Sequence, residues 1–385
     1  MIHSSFLRSL TAAIIAGSFA MPALASDPET TSAIKHVIVI FQENVSFDHY
    51  FATYPFAANS SAAEPVFNAA SDTPAVNGLL TGPAAAPNNP TLNIAGTGTI
   101  QPFRLGRNQA TTCDMDHNYT DEQAAYHAGQ IDLVVQKLSS ASADCAPDKS
   151  TVMGYFDGNT VTALWNYAQN FAMSDNFFNT TYGPSAPGAI NLIAGNTYGL
   201  LANDKTPTLA SSTIVNAPGI NQNTGLPGLQ NVTLAASNSN GNTGQGAVIG
   251  DPRPVGDDCN PLGSTQVAIT FPSQNIGDLL NARGVTWGWF QGGFAATSTS
   301  NGIAACSALH MASDGSVKQD YIGHHEPFNY FPSTQNLHHL PPSSPDKVGQ
   351  TDQANHQYDL NTLFTINNVS GPSAEPTRSP ASSPG

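Results

Sequence analysis

The sequence predicts an α/β fold with a mostly parallel central sheet, and three stretches support this prediction. Residues 34–41, Ile-Lys-His-Val-Ile-Val-Ile-Phe, have the length and the β-branched content of a strand covered on both faces. Residues 159–172 carry apolar side chains at helical spacing, which indicates a helix packed on a sheet. Residues 273–283, with Ser273 as N-cap, predict another helix, and residues 285–290 predict a strand. This alternation is typical of α/β architecture.

Polar residues follow the first predicted strand directly. Glu43 and Asn44 stand where the strand ends, and open α/β sheets bind ligands beyond the carboxyl ends of their strands. We therefore expect both side chains at a functional site. The alternative is that they only begin a turn, with Ser46 or Asp48 capping a short helix.

The two ends of the chain are expected to lie outside the folded domain. Residues 1–25 combine a single charge, Arg8, with an apolar stretch and small residues at 23 and 25, which predicts a secretory signal peptide. Residues 367–385 are rich in Ser and Pro and predict a disordered tail. We therefore expect one domain over residues 26–366 in a periplasmic or secreted protein, with no stable membrane anchor.

The charge balance argues against one class of partner. The chain has 12 lysines and arginines against 27 aspartates and glutamates, a formal net charge of −15. Such a chain repels polyanions, so nucleic acid and anionic membrane surfaces are not expected partners.

Four cysteines are present, and an exported protein is expected to pair them in disulfides. They are Cys113, Cys145, Cys259 and Cys306. Proximity in the sequence favours Cys113 with Cys145 and Cys259 with Cys306, although three pairings are formally possible.

Ser185 is the candidate nucleophile. Gly183, Pro184 and Pro187 surround it closely, and an apolar helical pattern follows. A hydroxyl at a helix N-terminus lies in a field that favours anions, next to free N–H groups that can hold phosphate oxygens. An ordinary N-cap serine would have the same local sequence.

Histidines are the remaining residues to be considered for the functional site. His117 precedes a short helix that a capping box, Thr120 with Gln123, predicts, and it is equally consistent with a surface position. His338 and His339 lie in a Pro-rich loop and are expected to be solvated.

Taken together, five stretches of the sequence resemble the secreted bacterial phosphoesterases that include phospholipase C and a related acid phosphatase. They are Glu43–Tyr50, Cys113–His117, Gly183–Pro187, His324–Phe331 and Thr351–Leu360. The last two are similar to the acid phosphatase branch, and the resemblance extends to about Ile366.

This resemblance implies an alkaline-phosphatase-like sandwich and a serine phosphoenzyme. Ser185 would be the nucleophile, and Glu43 and Asn44 would bind a divalent metal ion of unknown identity. His117 would line the phosphate pocket, and so would His324 and His325. The substrate would be a small phosphomonoester or, for a phospholipase C, a phospholipid.

The end of the chain departs from the family pattern. Relatives continue into further strands and an Asp-rich segment that completes the metal site, whereas this sequence passes into the Ser/Pro-rich stretch after Ile366. The sequence therefore leaves two expectations open. One is an active phosphoesterase, and the other is a truncated fragment that retains a phosphate-binding half-site without activity.

Overall fold

The computed structural model describes residues 32–81, 89–138, 149–203, 214–215, 218–220, 227–229, 242–260, 268–312 and 315–366. The contacts divide the chain into two units, Met1–Ile38 and Val39–Gly385, and the elements below belong to the second. The predicted signal peptide, Cys145 and the predicted tail lie outside the described residues.

Seven α-helices occur in the described part of the chain. They are α1 (Phe47–Phe51), α2 (Tyr119–Tyr126), α3 (Val134–Lys137), α4 (Thr162–Asn170), α5 (Ser185–Ala194), α6 (Ile276–Ala282) and α7 (Leu360–Ile366). Of the helices that the structure describes, none has the length and apolar content needed to cross a membrane.

Fifteen short strands accompany these helices. They are β1 (Phe103–Arg104), β2 (Gly154–Tyr155), β3 (Tyr198–Asn203), β4 (Ile214–Val215), β5 (Pro218–Ile220), β6 (Pro227–Leu229), β7 (Asn242–Val248), β8 (Arg253–Pro254), β9 (Ala268–Thr270), β10 (Trp289–Gln291), β11 (Ser298–Ser300), β12 (Ile303–Ala305), β13 (Leu309–Met311), β14 (Val317–Gln319) and β15 (Gln357–Asp359).

The sheets show part of the predicted fold class. The largest has five strands in the order β4-β7-β3-β9-β8, and only β8 and β9 pair in parallel. Parallel pairs also join β1 to β2 and β10 to β15. The described residues therefore form a mixed helix-and-strand fold with small parallel sheets.

Residues 34–41 form no strand, contrary to the prediction. The side chains of Val39 and Ile40 are 73% and 82% exposed. An apolar run specifies that its side chains favour burial, but a strand also needs a neighbour for its backbone N–H and C=O groups. The sequence of residues 34–41 does not indicate whether such a neighbouring strand is present.

The helix predicted after Ser185 is confirmed as α5, which lies in the main core. Ala186, Ile190 and Ile193 occupy one face of the helix and are buried. They pack with Leu200 of β3 and Ile269 of β9. Burial of this face fixes α5 on the five-stranded sheet.

The helix predicted within residues 159–172 is confirmed as α4. Its Trp165 is fully buried, and the indole Nε1 donates to the carbonyl oxygen of Tyr50 at 2.7 Å. Phe47 and Phe51 of α1 pack against the same cluster. These contacts attach α1 to α4.

Two other predicted elements form with different limits. The helix of residues 273–283 is α6, and its N-cap is Asn275 rather than Ser273, because the Asn275 side chain accepts from the N–H of Gly277 at 2.7 Å. The strand of residues 285–290 appears only as β10.

The Cys259–Cys306 disulfide is confirmed, with a Cα–Cα distance of 5.2 Å. Next to it, His339 corrects the expectation of a solvated histidine. Its ring is buried, with Nε2 at 2.9 Å from Asp257 Oδ1, and Tyr321 donates to the other oxygen of Asp257 at 2.6 Å. The Pro-rich sequence indicated a loop, but it did not indicate that a buried carboxylate would pair with this imidazole.

We predict that replacing both Cys259 and Cys306 by Ser lowers the free energy of unfolding by about 4 kcal/mol, because the bond closes a loop with a sequence separation of 47 residues. Urea denaturation followed by circular dichroism measures the change. Ser298→Ala, an exposed change in neighbouring β11, is the control and should leave stability unaltered. Equal stability of the double variant and the control would contradict the prediction.

Candidate functional site

Gly183 forms the turn that leads into α5 and Ser185. Its φ is +102°, a conformation that L side chains rarely adopt, and an added Cβ would lie 3.2 Å from the carbonyl oxygen of Ile249. Pro184 follows as the extended N-cap, and Ser185 is the first residue of the helix. The Gly-Pro sequence therefore fixes where the helix begins and places the hydroxyl at its N-terminal end.

Two carboxylates hold this turn by its backbone. Glu122 Oε2 accepts from the N–H of Gly183 at 2.7 Å, and Asp251 Oδ1 accepts from the N–H of Ala186 at 2.9 Å. Pro184 and Pro187 have no N–H, so the first turn offers only the donors of Ser185 and Ala186.

These contacts correct the expectation of several free N–H groups for phosphate oxygens. Because Ala186 already donates to Asp251, only the N–H of Ser185 is left for a ligand in this turn. The helix N-terminus alone is therefore a poor phosphate site.

Glu43 brings Ser185 and His325 together. Its Oε1 accepts from the Ser185 hydroxyl at 3.2 Å and lies 3.1 Å from Nε2 of His325. Ser46 caps α1 by accepting from the N–H of His49, so the alternative that this segment begins a capped helix is also confirmed. The capped helix, attached through Trp165, positions Glu43 beside Ser185.

His324 lies on the other side of the same turn. Its Nε2 is 3.9 Å from Asp251 Oδ2, and its ring contacts the ring of His325 edge to face. Tyr330, which follows these histidines, donates to the carbonyl oxygen of Pro252 at 2.6 Å and so fixes their segment next to Asp251. Burial lowers the pKa of His324, and the Asp251 charge only partly opposes this.

The pKa of His117 is shifted in the opposite direction to that of His324. Burial lowers its pKa, but a hydrogen bond at 2.7 Å to the Met115 carbonyl oxygen and the charges of Asp114, Asp251 and Glu122 outweigh burial, so the net pKa is raised. His117 therefore keeps its proton to higher pH than His324 does. The helix after it, α2, starts with Asn118 as N-cap, so the predicted Thr120 capping box is wrong.

Asn44 is not brought into contact with this group. Its φ is +71°, a left-handed conformation that Asn tolerates, and the residue is exposed. Its side chain makes no hydrogen bond to the residues that the structure describes.

Sequence reasoning missed Glu122 and Asp251. Asp251 comes shortly after the apolar stretch Ala247–Ile249. Glu43 likewise comes shortly after the apolar residues 34–41, and that pattern predicted a functional role for it. Glu122 sits inside a short helix, and nothing in the sequence distinguishes it from a solvated helix residue.

Hard oxygen donors for a metal ion are concentrated around Ser185. Glu43, Glu122 and Asp251 supply carboxylates, and none of them pairs with a lysine or arginine of the described residues. Elsewhere, Cys259, Cys306 and His339 have ligand atoms close together, but the two sulfurs form the disulfide and are not thiolates. That group does not suit a metal ion.

We predict opposite effects for two glycines near Ser185. Gly183→Ala should lower the free energy of unfolding by about 1–3 kcal/mol, because Ala resists a φ of +102°. Gly188→Ala, within α5 and with nothing within 4 Å of the added Cβ, should raise it by about 0.5–1 kcal/mol. Urea denaturation of both variants tests this pair, and stabilisation by Gly183→Ala would contradict the described turn.

We also predict that Asp251→Asn lowers the pKa of both His117 and His324, since the Asp251 charge favours each imidazolium. The amide oxygen can still accept from Ala186, so the turn is retained. NMR titration of the imidazole Cε1–H signals measures both values. Asp346→Asn, an exposed change, is the control, and unshifted values in Asp251→Asn would show that its charge does not reach the histidines.

Comparison with known proteins identifies the family. The model of a family described as "Phosphoesterase family" matches residues 34–366, a range that includes all the residues around Ser185. Two curated relatives are similar over a shorter region. Both are named Phospholipase C A, from Mycobacterium tuberculosis strains CDC 1551 / Oshkosh and ATCC 25618 / H37Rv.

Each of these relatives is 24% identical over 169 residues, which is 44% of this chain and 30% of the relative. The chain thus spans less than a third of the length of the curated relatives that it matches. The family match, in contrast, covers most of the chain and the whole candidate site. The chain therefore belongs to the phosphoesterase family.

Proposed function

We propose that the chain hydrolyses phosphomonoesters at Ser185, as an acid phosphatase does, through a serine phosphoenzyme. The observation that carries the proposal is the convergence of Ser185 with Glu43 and His325, with contacts of 3.2 and 3.1 Å at one carboxylate oxygen. A hydroxyl held by a carboxylate at the start of a helix suits attack on phosphorus. The proposed fold is the alkaline-phosphatase-like sandwich, with the domain over residues 26–366.

The reaction would proceed in two steps. Ser185 Oγ attacks phosphorus and its proton passes to Glu43, which accepts the hydrogen bond of the hydroxyl; a new O–P bond forms and the bond to the alcohol oxygen breaks. His117, whose pKa is raised by its backbone hydrogen bond and the nearby carboxylates against the effect of burial, donates a proton to the leaving alkoxide. Water then gives a proton to His117 and attacks the phosphoserine, the Ser185 O–P bond breaks, and Glu43 returns the proton to Ser185, which releases phosphate and restores the hydroxyl.

His324 and His325 would bind phosphoryl oxygens. Because the pKa of His324 is lowered, this ring is neutral over more of the pH range and can donate one N–H without carrying charge. His325 already faces Glu43, so it would orient that carboxylate as well.

We further propose a divalent metal ion bound by Glu43 and Asn44. The donors fit a hard cation, because a carboxylate oxygen and an uncommitted amide oxygen lie on adjacent residues. Three carboxylates around Ser185 also create a negative field that attracts a cation. Such an ion would stabilise the serine alkoxide and neutralise charge on the phosphate.

A second candidate function is cleavage of phospholipid phosphodiesters, because both curated relatives are named phospholipase C. Export to the periplasm or the medium, through the signal peptide of residues 1–25, would suit either substrate.

We predict that purified protein hydrolyses 4-nitrophenyl phosphate and that Ser185→Ala lowers kcat by at least about a thousandfold, since the nucleophile is lost. Release of 4-nitrophenol measures the rate. Ser333→Ala, an exposed serine elsewhere in the chain, is the control and should keep the full rate.

Two outcomes would change the proposal. Absence of turnover at every pH and with every added divalent metal would leave a phosphate-binding fragment without activity. Release of phosphocholine from phosphatidylcholine at a higher kcat/KM than that for the phosphomonoester would favour the phospholipase function.

A further inference from the structure

A cavity of about 190 Å³ adjoins the candidate site. Asp251 and His324 line it, and both also belong to the group around Ser185. Arg253, Asn260, Gln319 and Tyr321 form further parts of its wall, and we name it the Arg253 cavity. A group bound there would therefore lie beside a phosphate ester at Ser185.

Arg253 is a buried cation in a chain that has few cations. The residue is 4% exposed, and one terminal nitrogen of its guanidinium donates to the carbonyl oxygen of Asn260. Its Nε is buried and has no hydrogen-bond partner among the residues that the structure describes. A buried charge with an unbonded donor is costly unless a partner compensates it.

The nearby carboxylates are already committed. Asp257, whose charge acts on Arg253, bonds to His339 and Tyr321, and Asp251 bonds to the N–H of Ala186. In the described part of the chain, Arg253 forms no ion pair with a carboxylate. Its Nε–H therefore remains available as a donor to an anion that enters the cavity.

The cavity also lies close to Ser185, the proposed nucleophile. Arg253 follows Asp251 by two residues, and two residues of extended chain span about 7 Å. Asp251 in turn contacts α5 next to Ser185. Through Asp251, the cavity therefore adjoins the turn that carries Ser185, where the proposed phosphate ester would bind.

We propose that the Arg253 cavity binds an anionic group, a carboxylate or a second phosphate, on the alcohol part of the substrate. This rests on the proposed hydrolysis at Ser185 and narrows its substrate class. The preferred substrates are small phosphomonoesters whose leaving alcohol carries its own negative charge.

Two matched substrates test the inference. 3-Phosphoglycerate and glycerol 3-phosphate share a three-carbon skeleton and differ in a carboxylate against a hydroxymethyl group. We expect kcat/KM to favour 3-phosphoglycerate by about tenfold or more, a factor that corresponds to about 1.4 kcal/mol. Arg253→Met, which removes the charge and keeps an unbranched side chain, should bring the ratio close to one.

Arg253 is buried, and Arg253→Met could fail to fold. Variants at an exposed position of the cavity wall therefore provide a second test. Gln319 lies in the cavity wall on β14 and is exposed. Gln319→Lys should raise the preference for 3-phosphoglycerate, and Gln319→Glu should lower it. Lys318→Glu is the control, because neighbouring residues of a strand point to opposite faces. Although its charge change is larger, it should leave the ratio of the two kcat/KM values unaltered.

The outcomes separate the two proposals. Equal kcat/KM for both substrates in the wild-type protein would overturn the cavity inference and leave phosphoester hydrolysis intact. Turnover of 4-nitrophenyl phosphate but of neither matched substrate would also overturn the cavity inference alone. Turnover of none of the three would overturn the hydrolysis proposal, and calorimetric titration with 3-phosphoglycerate would then decide on the cavity. Weaker binding by Gln319→Glu than by Lys318→Glu would support the cavity site, whereas equal or absent binding would overturn it.

Discussion

Two hydrogen bonds from backbone N–H groups to carboxylates fix the turn that carries Ser185. Glu122 binds the residue before the N-cap and Asp251 binds the second residue of α5, so the turn is held on both sides. Bonds to charged acceptors contribute about 1.5–3 kcal/mol each. The two carboxylates come from separate segments, and the arrangement therefore depends on how those segments pack. The contact of Glu43 with the hydroxyl and the position of His324 both follow from this turn.

The same bonds decide how a phosphate could be held. In many proteins a helix N-terminus supplies several free N–H groups to a phosphate. Here two prolines remove donors and Asp251 occupies another, so a carboxylate takes the place that a phosphate oxygen would have. In the proposed reaction, the histidines and the remaining N–H of Ser185 would hold the phosphate. The proposed divalent ion would supply the positive charge that this helix N-terminus alone does not offer.

Much of the site could be predicted from the sequence, because its signals are local. Ser185 follows a Gly-Pro turn and precedes a clear apolar helical pattern, and α5 forms there. Glu43 lies beside Ser185 although 142 residues separate them, as the shared family motifs implied. Asp251 could have been suspected from its place after an apolar stretch, whereas Glu122 gave no signal.

The remaining features depend on tertiary partners that no local pattern encodes. Residues 34–41 have the composition of a buried strand, yet strand formation requires a neighbour at the correct register. His339 is buried because Asp257 and Tyr321 surround it, and its sequence context indicated only a loop. The strand order of the largest sheet likewise follows from connections between elements and not from the elements themselves.

The carboxylates around Ser185 also affect how fast an anionic substrate reaches the site. The whole chain carries a net charge of −15, and three of its acidic groups face the proposed nucleophile. Mobile ions screen such repulsion over distances of about 8–10 Å at physiological ionic strength. For the proposed phosphate ester substrate, added salt would therefore speed the encounter, which is the reverse of the slowing that salt causes at a positively charged site.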